Sequence, residues 1–197
     1  MDRKPGTLAK NPKNAASSLV WIKIVGIGNS GVGKTCLIKH FCESKFSSGY
    51  QPTVGVDYGF KIQSVQGMDL RVHLWDLSGN AEYLDVRNEL YANTDAVFLA
   101  FDLTNQASFE SLDIWLRELT KYANSPPEVI LCGNKLDQKN KRVISAADAN
   151  KWASGHKIKY YETSSSNGDG VEKMFVDVLE KIVEKKHLKE IVKIPQI

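Results

Sequence analysis

The chain has 197 residues, 42% hydrophobic and 25% charged, with a formal net charge of +3. This length suits one domain with a full core, and so mild a charge does not point to nucleic acid as a partner. No apolar run approaches a membrane span and the N-terminus is no signal peptide. The three cysteines (Cys36, Cys42, Cys132) lack metal-ligand spacing, which fits reduced thiols in a soluble cytoplasmic or nuclear protein. Residues 1–18 mix Lys, Pro, Asn, Gly and Ser without periodicity and are expected to form a disordered basic arm. Strand and helix signals then alternate through 19–187. Residues 19–27 are an apolar run with strand character. Residues 34–43 place Leu37, Ile38, Phe41 and Cys42 on one helical face. Residues 56–64 and 70–75 read as a hairpin around Gln66, Gly67, Met68 and Asp69. In its second arm Leu70, Val72 and Leu74 alternate with Arg71 and His73, so His73 is expected to face outward and not to act as a catalyst.

Residues 96–101 and 129–132 are nearly all apolar, as strands buried on both faces should be. Between them Phe109, Leu112, Trp115, Leu116 and Leu119 have helical spacing. Ser145 with Asp148 resembles a capping box that opens a helix through Trp152. Residues 159–161 form a short strand. Val171, Met174, Phe175, Val178, Leu179, Ile182 and Val183 make an amphipathic stripe. The expected fold is therefore α/β: a six-stranded, mostly parallel, doubly wound sheet with helices on both faces and one antiparallel edge strand. Residues 188–197 read as a tail without a prenylation cysteine, and Asp2 excludes N-myristoylation, so no lipid anchor is expected. Basic residues gather at both ends, where contact with acidic lipids would be peripheral.

The stretch Gly28, Asn29, Ser30, Gly31, Val32, Gly33, Lys34, Thr35, Cys36 carries the most chemistry. Residues 28–35 fit G-x-x-x-x-G-K-[ST] between a strand and a helix. Its glycines let successive N–H groups converge on one centre, which suits a polyphosphate, and the following helix adds its positive end. Lys34 can reach the β- and γ-phosphates, and the Thr35 hydroxyl can ligate Mg²⁺. The alternative is a ligand-free glycine-rich turn. In Asn134, Lys135, Leu136, Asp137, the Asp137 carboxylate can accept from N1–H and the exocyclic amine of guanine. Adenine would leave it unpaired. Asn134 would tie neighbouring loops together, and the stem of Lys135 would cover the base or ribose. In Asp76, Leu77, Ser78, Gly79, the carboxylate is placed to hold Mg²⁺ through water, and the Gly79 N–H to bond a γ-phosphate.

These motifs, with Thr53 and with Glu162, Thr163, Ser164, follow the order and spacing of the Ras superfamily of small GTPases. The resemblance runs from about residue 19 to 187 and implies a P-loop NTPase G domain that binds GTP or GDP with Mg²⁺. Gly55, Val56, Asp57 and Tyr58, with Trp75 and Asp76, are most similar to the Rab branch. Val86, Arg87, Asn88, Glu89, Leu90 and Tyr91 resemble the Rab-like family whose animal members carry a C-terminal DnaJ domain. No His-Pro-Asp tripeptide occurs here, and a member without that domain is expected. The resemblance implies that Thr53 is a second hydroxyl ligand of Mg²⁺, although a loop threonine is usually solvated. It places Phe46 against the guanine, the alternative being a core aromatic, and Tyr50 over the phosphates, the alternative being an exposed tyrosine. The backbone at Ser164 and Ser165 would meet guanine O6. Effectors would bind residues 53–60 and 76–91, with Tyr58, Trp75 and Leu90 as an apolar patch. An exchange factor and an activating protein would act on a monomer.

Departures from the family pattern matter for catalysis. Asn80 stands where a glutamine orients the attacking water, and it is one methylene shorter, so slow hydrolysis is expected with Gly79 and Lys34 as its other participants. A partner that supplies its own glutamine would make this change silent. Ser166 replaces a lysine that packs on the base, which would weaken affinity or speed exchange. Ser30 and Leu90 are smaller departures. Two further readings stand beside a slow GTPase switch: a guanine-nucleotide-binding module without effective hydrolysis, which Asn80 favours, and a P-loop phosphotransferase, which the motif at 134–137 disfavours.

Overall fold

The computed structural model describes residues 20–49 and 51–186. The expected arm at 1–18, Tyr50 and the tail at 188–197 lie outside the described residues. Six strands form one sheet: β1 (Val20–Ile27), β2 (Val56–Val65), β3 (Met68–Leu77), β4 (Ala96–Asp102), β5 (Glu128–Asn134) and β6 (Lys159–Glu162), in the order β2-β3-β1-β4-β5-β6. Only β2, at the edge, runs antiparallel to its neighbour; the other pairs are parallel. The chain leaves β1 toward β3 and returns across β1 to β4. The strand order thus reverses beside β1, where α/β sheets place ligands at the carboxyl ends.

Alternation along β1 sends Ile22 and Ile24 to one face and Val25 and Ile27 to the other. On the first face α1 (Lys34–Glu43) and α6 (Val171–Lys185) bury Leu37, Phe41, Met174 and Phe175. Phe175 stacks on Phe41 at 4.3 Å and meets Phe98 edge-on at 5.6 Å. The second face is covered by α4 (Leu112–Tyr122) and α5 (Ala146–Gly155), through Trp115, Leu119, Ala149 and Ala153. Every residue of β4 is buried, as its apolar run requires. Among the described residues no helix is long and apolar enough to cross a membrane.

Three local details depart from the sequence expectations. The helical run at 109–119 is divided at Ser111 into α3 (Gln106–Glu110) and α4. Asn105 opens α3 by accepting from the Ser108 N–H at 3.3 Å, while the Ser111 hydroxyl bonds back to the Ala107 carbonyl at 2.7 Å, a local pairing that competes with the helix ladder. The hairpin turn narrows to Gln66 and Gly67, whose φ values of 50° and 80° suit the twist of the flanking strands. A short helix, α2 (Leu84–Leu90), follows a 3₁₀ turn at Ala81–Tyr83 and has no clear periodic signal in the sequence. The cap at Ser145 forms as expected, with Asp148 N–H donating to its hydroxyl at 3.0 Å, and α5 continues past Trp152 to Gly155.

Candidate nucleotide site

The loop between β1 and α1 curls because its glycines adopt conformations that other residues rarely take. Gly28, Gly31 and Gly33 have φ of 133°, 80° and 98°. A Cβ on Gly28 would lie 2.1 Å from the Ala100 carbonyl oxygen, and one on Gly33 2.3 Å from Asn134 Nδ2. Ser30 and Gly31 are exposed at the lip and Val32 is buried beneath it. Lys34 is only 5% exposed and donates to the carbonyls of Gly28 and Asn29 at 2.7 and 3.0 Å. Burial lowers its ammonium to about 8, against the opposing pull of Asp76, with Arg87 adding to the fall. An anion in the loop would favour the charged form again.

Beside Lys34, three oxygen side chains from three segments meet. Thr35 lies in the first turn of α1, Thr53 precedes β2 and Asp76 is the penultimate residue of β3. The two hydroxyls lie 3.1 Å apart; Thr53 donates to Asp76 Oδ2 at 3.2 Å, and Thr35 donates to the same oxygen. Asp76 is 1% exposed, its other oxygen Oδ1 is buried without a partner, and burial raises its pKa against the hydrogen bonds from Thr35 and Thr53 and the charge of Lys34. An orphaned carboxylate oxygen among hydroxyls is a hard-oxygen set that suits a partly hydrated Mg²⁺. Among the described residues no cluster of three or more His, Cys, Asp or Glu side chains forms another metal site.

The other end of the site is built by the loops after β5 and β6. Asn134 is fully buried and works as a strut: its Nδ2 donates to the Val32 carbonyl at 2.9 Å, and its Oδ1 accepts from the Ser165 N–H at 3.1 Å. Asp137 is exposed in the cleft and accepts from the Ser164 hydroxyl at 2.6 Å, which fixes one oxygen and leaves the other available. Lys135 has a φ of 67° and pairs through Nζ with Asp102 at 2.7 Å. The cleft holds about 370 Å³ and extends from Gly31 and Lys34 past Cys36 and Phe46 to Asp137, Ser165 and Ser166. Phe46 is 46% exposed and lines it, so it is not a core aromatic. Lys39 and Lys45 also line the cleft and add to its positive character. Tyr50 lies outside the described residues.

Gly79 approaches the loop after β1 so closely that a Cβ there would sit 2.3 Å from Ser30 N and 2.5 Å from the Asn29 carbonyl carbon. Asn80 follows, exposed, with its Oδ1 accepting from the Glu82 N–H at 3.3 Å. Residues that motif reading missed hold this segment. Arg87, 3% exposed, donates to the carbonyls of Ser78 and Asn80 at 3.1 and 2.6 Å and pairs with both oxygens of Glu118 at 2.7 and 3.0 Å. Its guanidinium lies 4.9 Å over the Trp115 ring, and Trp115 Nε1 donates to Asn29 Oδ1 at 2.7 Å. Asn29 in turn donates to Ser111 at 3.1 Å. In the sequence Arg87 figures only as part of the resemblance at 86–91 and takes no role, because a buried arginine carries no periodic signature.

The family model described as "Ras family" matches residues 23–184. The chain belongs to the Ras family. This Ras-family chain is 38% identical over 168 residues to the DnaJ homolog subfamily C member 27 of Mus musculus, covering 83% of this chain and 61% of that protein. It is 36% identical to the Homo sapiens protein of that name over 159 residues, 78% of this chain and 58% of the relative, and 34% identical to the Danio rerio one over the same shares. The chain thus spans about 60% of the length of these curated relatives. Membership makes it a small GTPase of Rab-like kind built on the P-loop α/β fold.

Proposed function

We propose that this Ras-family chain is a Mg²⁺-dependent GTP/GDP switch whose hydrolysis of GTP is slow. The observation that carries the reading is the convergence of Thr35, Thr53 and Asp76, with one Asp76 oxygen orphaned, next to the buried Lys34. A triphosphate in the cleft would draw N–H groups from the loop at 28–35 and the Lys34 ammonium. Thr35 and Thr53 hydroxyls would ligate Mg²⁺ directly and Asp76 through water. The bound cation would supply charge neutralisation at the phosphates. Asp137 would accept from guanine, Ser164 and Ser165 backbone would meet its O6, and Phe46 would border the base. Loss of Ser166's expected lysine counterpart would weaken the hold on the purine.

Hydrolysis needs a water aligned with the γ-phosphate. Gly79 N–H would bond that phosphate and Asn80 would orient the water. The short Asn80 side chain is already engaged with the Glu82 N–H, which supports slow turnover. The same bond favours the second reading, a binding module without effective hydrolysis. Binding of Thr53 and Asp76 to a triphosphate-held cation would order residues 53–60 and 76–91 for effectors, and GDP would release them. Two measurements test this. Calorimetry with GTP, GDP and ATP, with and without Mg²⁺, should show guanine preference and tighter binding with the cation; equal ATP binding overturns it. Single-turnover phosphate release should rise roughly tenfold or more in Asn80→Gln. Equal rates in both proteins reject the role given to Asn80.

A further inference from the structure

Away from α1 and α6, the sheet face made by β2, β3 and the start of β1 bears large side chains in solvent. Trp21 is 61% exposed, Ile62 51% and Phe60 42%. They alternate with the core residues Ile22, Leu70 and Val72 and so point to the opposite side. The register aligns them in rows across three strands: Ile62, Arg71 and Trp21, then Phe60, His73 and Lys23. Arg71 lies 5.0 Å from the Trp21 ring and 5.5 Å from the Phe60 ring. Its Nε is buried without a hydrogen-bond partner, and it forms no ion pair among the described residues. His73 stacks on Trp21 at 4.5 Å. Lys23 is committed to the carbonyls of Leu90 and Ala92, both at 2.7 Å. The carboxylate next along β3, Asp69, is exposed and makes no ion pair among the described residues.

A half-buried guanidinium framed by aromatic rings, with its Nε desolvated and no counter-charge among the described residues, is half of a charge-assisted pair. We propose that this face docks an acidic, apolar segment of a partner protein, with a carboxylate on Arg71 and apolar side chains over Trp21, Phe60 and Ile62, in either nucleotide state. Trp21 lies about 20 Å along β1 from the loop that begins at Gly28; Trp21, Ile62 and Arg71 lie outside the segments at 53–60 and 76–91, and Phe60 is the last residue of the first, paired with His73 in the β2–β3 ladder. The face is continuous with Tyr58 and Trp75, expected as effector contacts, but its far end has no part in sensing phosphate. Charge argues against two other occupants. Residues 1–19 contain Arg3, Lys4, Lys10 and Lys13 against a single carboxylate, Asp2. A two-fold contact between copies centred here would oppose two Arg71 side chains.

Random peptides displayed against the full chain, loaded with GDP or with a non-hydrolysable GTP analogue, test the proposal, with affinities of selected peptides read by fluorescence anisotropy. The expected binders carry Asp or Glu beside apolar residues and bind both loaded forms within about twofold. Arg71→Glu should weaken them at least about tenfold. Phe60→Ser, a change at an exposed edge-strand position, should do likewise, while Lys151→Glu on α5 should not. Retained GDP binding shows that the variants fold. Binders without acidic residues, binders indifferent to both variants, or a strong preference for one nucleotide form overturn the proposal. So does tighter peptide binding after removal of residues 1–18, which would make the arm the occupant. A dimer in sedimentation velocity that Phe60→Ser dissolves would make a second copy the occupant and equally overturn it.

Discussion

Replacing Arg87 by Leu removes the centre of a buried network that joins the segment after β3 to α4. The side chains of Arg87 and Glu118 are 4% and 12% exposed. After the change, Glu118 keeps only the Tyr91 hydroxyl, which donates at 2.6 Å. Breaking such a pair on one side leaves an uncompensated charge and costs about 3–5 kcal/mol. The Ser78 carbonyl, on a buried residue, also loses its donor, which adds about 1 kcal/mol. Asn80 is exposed, so water can replace Arg87 at its carbonyl. The expected loss is about 4–6 kcal/mol, a large part of the stability of an ordinary domain. Urea unfolding followed by tryptophan fluorescence, with GDP and Mg²⁺ held constant because ligand binding adds by mass action, measures it. The double variant Arg87→Leu, Glu118→Leu removes both charges and should recover at least about 2 kcal/mol of that loss. A single variant within about 1 kcal/mol of the parent, or a double variant whose cost is the plain sum of the singles, would refute this account.

Gly33→Ala forces a Cβ to 2.3 Å from Asn134 Nδ2 at a φ of 98°; nucleotide affinity should fall, with about 1–3 kcal/mol of stability lost, and calorimetry beside thermal unfolding would show it. Asp137→Asn should move preference from guanine toward xanthine nucleotides, which accept where guanine donates; competition between GDP and XDP reads the change, and an unaltered ratio would count against Asp137 as the base-reading group. Asp177 supplies a pH test. Burial alone would raise its carboxyl, but bonds from Lys159, Lys173 and Tyr161 outweigh it and bring the pKa down to about 2 from 3.8. Because the folded state holds this group deprotonated more strongly, its stabilising contribution is present above pH 3.8 and disappears as pH falls toward 2. Asp177→Asn should therefore flatten the acid limb of the unfolding temperature in that window, and an unchanged slope would contradict the assignment.

Local chemistry in the sequence was enough for a six-stranded, mostly parallel sheet with one antiparallel edge strand and for the curled loop at 28–35. Hydrophobic period distinguished strands from helices, and φ-permissive glycines before Lys34 specified a curled loop, because both depend on residues close in the chain. The single helix expected at 109–119 failed at Ser111 for an equally local reason that periodicity does not register, a hydroxyl bonding to its own backbone. What the order of residues could not state was which distant groups would meet. Asn134 reaches Val32 across 102 positions, and Trp115 reaches Asn29 across 86. Arg87 finds Glu118 only because α2 and α4 pack on the same side of the sheet. Such pairings follow from crossover connections and burial, which make a buried polar group take whatever partner the fold brings near. The sequence by itself therefore determined most of the elements and the glycine-curled loop before Lys34. Tertiary structure alone decided the struts between loops, the orphaned oxygen of Asp76 and the buried Nε of Arg71 in an aromatic face, since desolvation exists only once the chain has folded around them.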